Sequence, residues 1–463
     1  NDEAFEYIER AKSRALLELL TANINYLEIL EKDSITFQRA SKLLQEIEEI
    51  QNSLDSANKK EAEDGDWDQE RKASLDKHIV AKDLLDGLEQ KQRRLAEMLS
   101  DLATFSPDAA SLFQVVPSRI LDTQKILDSE TLLLGMYQSE NSLELFLIGN
   151  TGQILTTKVT QSARQSSEDI YLLINNIKES KHLDIRSHDF IRQIRAPLTH
   201  FYDFLIEPFS EHINRAKRLI ISPHLFWHYF PFQSLYCQKD KLYLIDKIEI
   251  CVTPTASILA SCMKKERTSR DSALILAKNN GDLPYVDKEA DLLAGAFYPK
   301  SEVYKNTDAY FKRTAQKQFD VVHFACHGSF NGEFPFLSGI DIPPEAGSNR
   351  RTTILDFFSQ KLESSLVTMS ACESGLNQFT IADELIGLSR GLFYAGTASI
   401  MASLWQVADA STCYLMENFY WHYVKNRRTK THALQLAMQA VKAKEEYANP
   451  YFWSPFIILG DWR

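Results

Sequence analysis

Short, continuous apolar runs in the last third of the chain limit most strongly what it can fold into. Ala273 to Leu276, Val321 to Ala325, Leu366 to Ser370 and Ala398 to Ser403 are rich in Val, Ile, Leu and small residues, and helical segments such as Lys288 to Ala296 and Ile381 to Tyr394 separate them. A strand that is apolar at every residue has no face to offer water, so these runs predict βαβ units with a parallel sheet covered on both sides. The middle third is mixed. Leu132 to Tyr137, Leu143 to Ile148 and Gln153 to Val159 read as an antiparallel meander whose second turn is Asn150-Thr151-Gly152. Helices are expected near Ile170 to Ile177 and Phe190 to Ile213, and strands at Leu219 to Ser222, Leu242 to Ile245 and Ile248 to Val252. The charged stretch Lys264 to Asp271 separates the two α/β regions.

The first hundred residues follow a different period. Phe5, Ile8, Ala11, Ala15, Leu16 and Leu19 recur at three- and four-residue steps, as do Phe37 to Leu54 and Leu84 to Leu102. Between the last two stripes, Asp55 to Glu70 is charged, carries Gly65 and has too little apolar surface to pack, so it reads as a solvated loop. Three regions result: a helical arm over 1–105, an α/β region over 106–268 and a second over 269–463.

Composition narrows the function. The net charge of −11, from 63 acidic and 52 basic side chains with no long Lys/Arg block, lacks the basic patch of a nucleic-acid binder, and no direct nucleic-acid binding is expected. Six cysteines scattered over 463 residues are not a disulfide framework and are read as reduced thiols of a cytoplasmic protein. The greasiest stretch, Leu219 to Phe232, is broken by Pro223, His224 and His228, so no membrane span is expected. The chain begins with Asn1 and shows no basic segment leading into an apolar one; a secretory signal is not expected, and the missing Met points to part of a longer protein.

Two strand ends carry chemistry. In Asp320-Val-Val-His-Phe-Ala-Cys-His-Gly-Ser329, His327 and Gly328 are expected just beyond an apolar strand, and in Ser365-Leu-Val-Thr-Met-Ser-Ala-Cys-Glu-Ser-Gly375, Cys372 just beyond another. Ligands bind at the carboxyl ends of an open parallel sheet, where loops diverge and leave a crevice. An imidazole within reach of a thiol takes its proton near neutral pH and later delivers one to a leaving amine, which makes His327 the candidate base and Cys372 the candidate nucleophile. Gly328 lets a substrate backbone approach, and its N–H with that of Cys372 forms a candidate oxyanion hole.

Five ordered segments then match a known family: His-Phe-Ala-Cys-His-Gly (323–328), Met-Ser-Ala-Cys-Glu-Ser-Gly-Leu (369–376), Asp-Glu-Leu-Ile-Gly-Leu-Ser-Arg-Gly-Leu-Phe-Tyr-Ala-Gly (383–396), Ala-Ser-Leu-Trp-Gln-Val (402–407) and Asn-Pro-Tyr-Phe-Trp-Ser-Pro-Phe (449–456). Together they resemble the CHAT-domain family of caspase-like, separase-related cysteine peptidases, usually fused to tetratricopeptide repeats. The likeness runs over about residues 110–463 and includes the weaker Trp-His-Tyr-Phe-Pro-Phe-Gln-Ser-Leu segment (227–235). The 45-residue lead of His327 over Cys372 (372 − 327) is close to the roughly 50 of caspases. The resemblance implies an α/β fold with a caspase-like, mostly parallel sheet flanked by helices. A less conventional half (106–268) precedes the catalytic half (269–463), with His327 as base and Cys372 as nucleophile. It also implies that Phe5 to Leu17 is the tail of a repeat array. A single 34-residue repeat buries its face only on a neighbour, so the arm reads as the stump of a longer sensor.

The chain also departs from the family. Many relatives carry two adjacent acids after the Leu-Trp motif, where this chain has Ala408-Asp409, and a family acid for an arginine substrate falls at Cys413. Trp405, Asp409 and Cys413 are therefore the candidate substrate-pocket walls, Glu384 is a candidate support for loops near the cleft, and a small or apolar residue before the scissile bond fits as well as arginine. Asp409 equally suits a cap on the helix beginning near Ala410. His323 reads as a hydrogen-bonded core histidine, His228 as structural and Cys326 as a core thiol. A zinc site of His323, Cys326, His327 and Cys372 converges poorly, because strand offsets of three and four point to different faces. No metal and no cofactor are expected.

The expected function is a regulated cysteine endopeptidase cleaving specific protein partners, with an activator acting through the arm; the resemblance implies a bacterial defence or programmed-death pathway as its setting. The competing expectation is a catalytically inactive peptidase-like scaffold that binds partner proteins.

Overall fold

Among the described residues, a sheet of 13 strands runs through both α/β regions. The computed structural model describes Phe5, Ile8, Glu9, Lys12, Glu46, Gln90 and Lys91, and all of Arg119 to Arg463 except 153, 266–269, 282, 299, 330–337, 359–361, 374–388, 390 and 394; of 329, 355, 358 and 371–373 it describes the backbone. The chain divides into two compact units, residues 1–16 with 115–463 and residues 17–114. In the second unit Glu46, Gln90 and Lys91 are helical and Lys91 Nζ donates to Glu46 Oε2. The rest of the arm's second and third stripes, and the loop expected at 55–70, lie outside the described residues.

In the first unit the strands are β1 (Thr131–Gln138), β2 (Leu143–Ile148), β3 (Leu155–Val159), β4 (Arg218–Ser222), β5 (Tyr236–Cys237), β6 (Leu242–Tyr243), β7 (Glu249–Val252), β8 (Ala273–Ala277), β9 (Glu302–Lys305), β10 (Val321–Ser329), β11 (Gly339–Ile340), β12 (Thr352–Thr353), β13 (Leu366–Glu373), β14 (Ser399–Ser403) and β15 (Phe456–Gly460). The helices used below are α1 (Ile120–Ile126), α2 (Ala163–Glu179), α3 (Ala196–Leu205), α4 (Ala256–Lys264), α5 (Pro284–Leu292), α6 (Asp409–Tyr420) and α7 (Lys430–Lys442).

The continuous apolar runs become the strands buried along their whole length: every residue of β4, β8, β14 and β15 is buried. The expected meander is present as β1–β2–β3, antiparallel throughout. Short polar caps start the helices: Ser162 accepts from the Gln165 N–H at α2, Thr255 from Ile258 at α4 and Thr429 from His432 at α7.

Two expectations change. Leu242 to Ile245 is not one strand, because Asp246 Oδ2 accepts the Tyr243 N–H (3.0 Å) and the chain passes into a helical turn, Leu244–Lys247. The helix expected over Phe190 to Ile213 is interrupted. Pro197 lacks the N–H that Gln193 would receive, the backbone widens into a π turn at Ile191–Arg195, and Asn176 Nδ2 lies 3.5 Å from the Gln193 carbonyl.

The strand order is β12-β11-β10-β13-β14-β15-β7-β4-β1-β2-β3, with β8 and β9 branching from β10. Strands β9, β8, β10, β13 and β14 are parallel to one another, as are β15, β7, β4 and β1. The antiparallel contact of β14 with β15 reverses the direction between the two groups. The carboxyl ends of β8, β10 and β13 therefore lie on one edge of the sheet and those of β1, β4 and β7 on the opposite edge.

That opposite edge holds the described part of the amino-terminal segment. Phe5 and Ile8 are buried, and Lys12 Nζ donates to the Ser222 carbonyl (2.9 Å) and Oγ (3.2 Å) at the end of β4. Glu9 Oε2 accepts from the Ala256 N–H (2.9 Å) in the first turn of α4. Burial pushes the Glu9 carboxyl above its ordinary value and lowers the Lys12 ammonium to about 8.

Candidate active site

On the other edge, β10 is shared between three neighbours. Residues 321–325 pair with β8, the whole length through Gly328 pairs with β13, and Gly328 and Ser329 pair antiparallel with β11. Beyond Ala325 the carboxyl end of β10 thus projects past β8 and is covered by β11, whose neighbour Asp341 donates its N–H to the His327 carbonyl at 2.8 Å. His327 and Gly328 were expected past the strand end; they lie inside it, because pairing on both edges continues the strand through polar residues. Cys372 also lies inside the strand, in β13, where it is paired with β10.

The register aligns these positions. Across the parallel β10–β13 pair, His327 stands opposite Cys372 and Gly328 opposite Glu373, and four residues earlier His323 stands opposite Thr368. His327 and Gly328 are half-buried, at the rim of a strand whose residues from Val321 to Cys326 are buried.

Asp341 organises the rim beside His327. Lys278, the first residue after β8, donates its N–H to the Ala325 carbonyl (2.8 Å) and its Nζ to Asp341 Oδ1 (3.2 Å). Asn280 Nδ2 bonds Asp341 Oδ2, and Arg351 Nε lies 3.9 Å from Oδ1. Sequence reasoning missed this cluster. Its one signal is the turn-like Lys278-Asn-Asn-Gly281 directly after an apolar run, at the edge where a parallel sheet binds.

Deeper on the same strands lies a closed polar chain. His323 is fully buried, with Nε2 2.7 Å from Glu289 Oε1 on α5 and Nδ1 3.0 Å from the Tyr420 hydroxyl on α6, which is itself 2.8 Å from Thr368 Oγ1. The expected core histidine is hydrogen-bonded, and both ring nitrogens are used. Among the described residues no group of three or more His, Cys, Asp or Glu side chains is placed to hold a metal.

Two of the expected pocket walls, Trp405 and Cys413, are buried. Trp405 is 1% exposed and its Nε1 donates to the Tyr451 carbonyl (3.1 Å). Cys413 is buried in α6, and burial followed by the nearby Glu289 charge pushes its thiol up to about 12. Asp409 does not cap its own helix from the preceding position. It is the first residue of α6, and its Oδ2 accepts from the Tyr285 N–H (2.6 Å) in the first turn of α5. Glu384 lies outside the described residues. Cys251 and Cys262 are buried too, and burial raises both thiols to about 12.

The family model described as CHAT domain matches residues 195–461, more than half of the chain. The chain belongs to the CHAT-domain family. Curated proteins similar to this CHAT chain include tetratricopeptide repeat protein 28 of Homo sapiens and of Mus musculus, each 20% identical over 325 residues. These alignments cover 58% of the chain and 13% of the relative, so the CHAT chain spans a small part of the length of the curated relatives it matches. Among solved structures it is similar to the Saccharomyces cerevisiae separase–securin complex, with a TM-score of 0.45, 11% identity, and coverage of 83% of this chain and 34% of that one. It is also similar to the Arg-specific cysteine proteinase gingipain R (RgpB) of Porphyromonas gingivalis, with a TM-score of 0.38, 13% identity, and coverage of 65% and 76%. Among the described residues no helix is long and apolar enough to cross a membrane.

Proposed function

We propose that this CHAT domain is a caspase-like cysteine endopeptidase that uses His327 and Cys372 as its dyad. The observation that carries the reading is the register: the two residues are paired across neighbouring parallel strands, at the carboxyl edge where such sheets bind ligands. Register partners in a parallel pair share a face of the sheet, as a base and a nucleophile must. In this mechanism His327 takes the thiol proton, Cys372 attacks the scissile carbonyl, and the backbone N–H groups of Gly328 and Cys372 hold the oxyanion. The leaving amine receives the proton back from His327, and water resolves the acyl-enzyme. By family likeness, the substrates are one or a few protein partners in the cytoplasm, within a bacterial defence or programmed-death pathway, and an activator acts through the amino-terminal arm. The isolated chain then has low activity until that activator shifts its conformational population.

Alkylation with iodoacetamide, mapped by peptide mass spectrometry, tests the dyad. Selective modification of Cys372 that is lost in His327→Ala supports it. Labelling of Cys372 that ignores His327, or none at all, favours a peptidase-like scaffold that only binds partners. Mapping new amino termini in a host lysate with wild-type and Cys372→Ala protein then identifies the substrate.

A further inference from the structure

We propose that Tyr420 is a positioning residue for the dyad, clamping β10 to β13 four residues below His327 and Cys372; this rests on the dyad reading above. His323 and Thr368 are register partners on the two strands that carry the dyad, and the Tyr420 hydroxyl bonds both, at 3.0 Å and 2.8 Å. With a side-chain period of two, positions four apart share a face, so the clamp and His327 lie on the same face of β10, about 13 Å apart at the usual strand rise.

Four buried side chains close into one hydrogen-bonded chain, Glu289–His323–Tyr420–Thr368. Glu289 Oε1 stands 2.7 Å from His323 Nε2 and the Tyr420 hydroxyl 3.0 Å from Nδ1, so both ring nitrogens are engaged. The Tyr420 hydroxyl can donate to one of its two partners, His323 Nδ1 or Thr368 Oγ1, while accepting from the other. All four side chains are 1% exposed or less, so none has water as an alternative partner. Burial pushes the Tyr420 phenol far above its ordinary value, so it keeps the proton it donates.

The clamp holds a quantity to which the dyad is sensitive. A one-residue slip of β13 along β10 turns every one of its residues to the other face, and would take the Thr368 hydroxyl away from its Tyr420 partner, leaving that bond of the buried chain unmade. Smaller shifts matter as well, since a misplacement of about 1 Å at reacting groups costs roughly 100-fold in rate. An apolar contact among these three residues would fill the space without fixing the register.

The test is the pH profile of iodoacetamide alkylation at Cys372 in the full chain, with folding checked by circular dichroism and thermal unfolding. Tyr420→Phe and Thr368→Val each delete one hydroxyl with little change of shape. Each is expected to lower the alkylation rate at neutral pH about tenfold and to move the profile toward that of a free thiol, near pH 8.5. Thr368→Ser restores the hydroxyl and is expected to restore the profile, and Tyr420→Phe is expected to add nothing in a His327→Ala background. If Tyr420→Phe does not fold, the Thr368→Val and Thr368→Ser pair decides alone. Folded hydroxyl-deleted variants with the wild-type profile overturn the clamp while leaving the dyad in place. Coincident profiles for wild type and His327→Ala overturn the dyad reading, and the clamp with it.

Discussion

Asp409, at the start of α6, caps the helix that begins 125 residues earlier: its Oδ2 accepts the Tyr285 N–H of α5 at 2.6 Å. Leu283, at the N-cap of α5, makes no side-chain cap of its own, so Asp409 satisfies one of the orphan donors there and places a negative charge at the helix's positive end. Asp409→Ala is expected to lower stability by about 1 kcal/mol in chemical denaturation, with Asp409→Asn close to wild type. An unchanged denaturation midpoint accompanied by altered cleavage preference would instead make Asp409 a pocket wall.

The buried thiols make a second expectation. Cys251, Cys262 and Cys413 have their pKa values pushed to about 12 by burial, against an ordinary 9. Their stabilising contribution is fully present below pH 9 and is lost as the pH rises toward 12, because the folded state keeps protons that the unfolded chain releases. Native protein at pH 8 should therefore spare these three from iodoacetamide, and unfolded protein should expose all of them. Native alkylation of Cys251 or Cys262 at the rate of a free thiol would contradict the burial.

Legibility differed by the physics involved. The buried strands β4, β8 and β14 announce themselves because a doubly covered strand must be apolar at every position. His327 and Cys372 stood out because polar residues follow such runs directly. Strand β9, with no buried residue, and the two-residue β11 and β12 carry no such pattern. The reversal of direction at β14–β15 was not legible either, since it depends on pairing between residues such as Ile400 and Leu459. The bond from Tyr420 to His323 spans 97 positions, and no local spacing encodes it.

Gly339 tests the cover over His327. A Cβ built there would stand 2.0 Å from the Thr352 carbonyl oxygen and 2.8 Å from Thr353 Cα, backbone that cannot rotate away. Gly339→Ala should part β11 from β12 and loosen the Asp341 N–H bond to the His327 carbonyl, at an overpacking cost of about 1–3 kcal/mol. Hydrogen exchange at the Asp341 amide should accelerate; wild-type protection would mean that β11 holds without β12.

His224 predicts acid sensitivity. Its ring stacks on Tyr137, its Nδ1 accepts the Gln138 N–H at 3.1 Å, and burial, then the Lys12 charge, lowers its pKa to about 4 from 6.5. The folded state binds fewer protons than the unfolded chain between those values, so the stability this group supplies is present above pH 6.5 and lost as the pH falls toward 4. The loss should reach about 2–3 kcal/mol. In His224→Asn, whose amide oxygen can replace Nδ1, the fall between pH 6.5 and 4.5 should be shallower; an identical fall would assign the acid sensitivity to other groups.

The amino-terminal contact offers a test of how the arm's first turns are held. Lys12 and Glu9 are both buried, and each answers a backbone group, the Ser222 carbonyl and the Ala256 N–H. Lys12→Met removes the cation and leaves the Glu9 carboxyl buried without its neighbour's charge, which destabilises the docked segment. The double variant Glu9→Gln with Lys12→Met removes both charges and keeps an acceptor for the Ala256 N–H, so it should lose much less. Hydrogen exchange at the Ala256 amide reads the difference: fast in the single variant, slow in wild type and in the double variant. Equal protection in all three would mean that Phe5 and Ile8 hold the segment by apolar contact alone, and that the two buried charges contribute nothing to its docking.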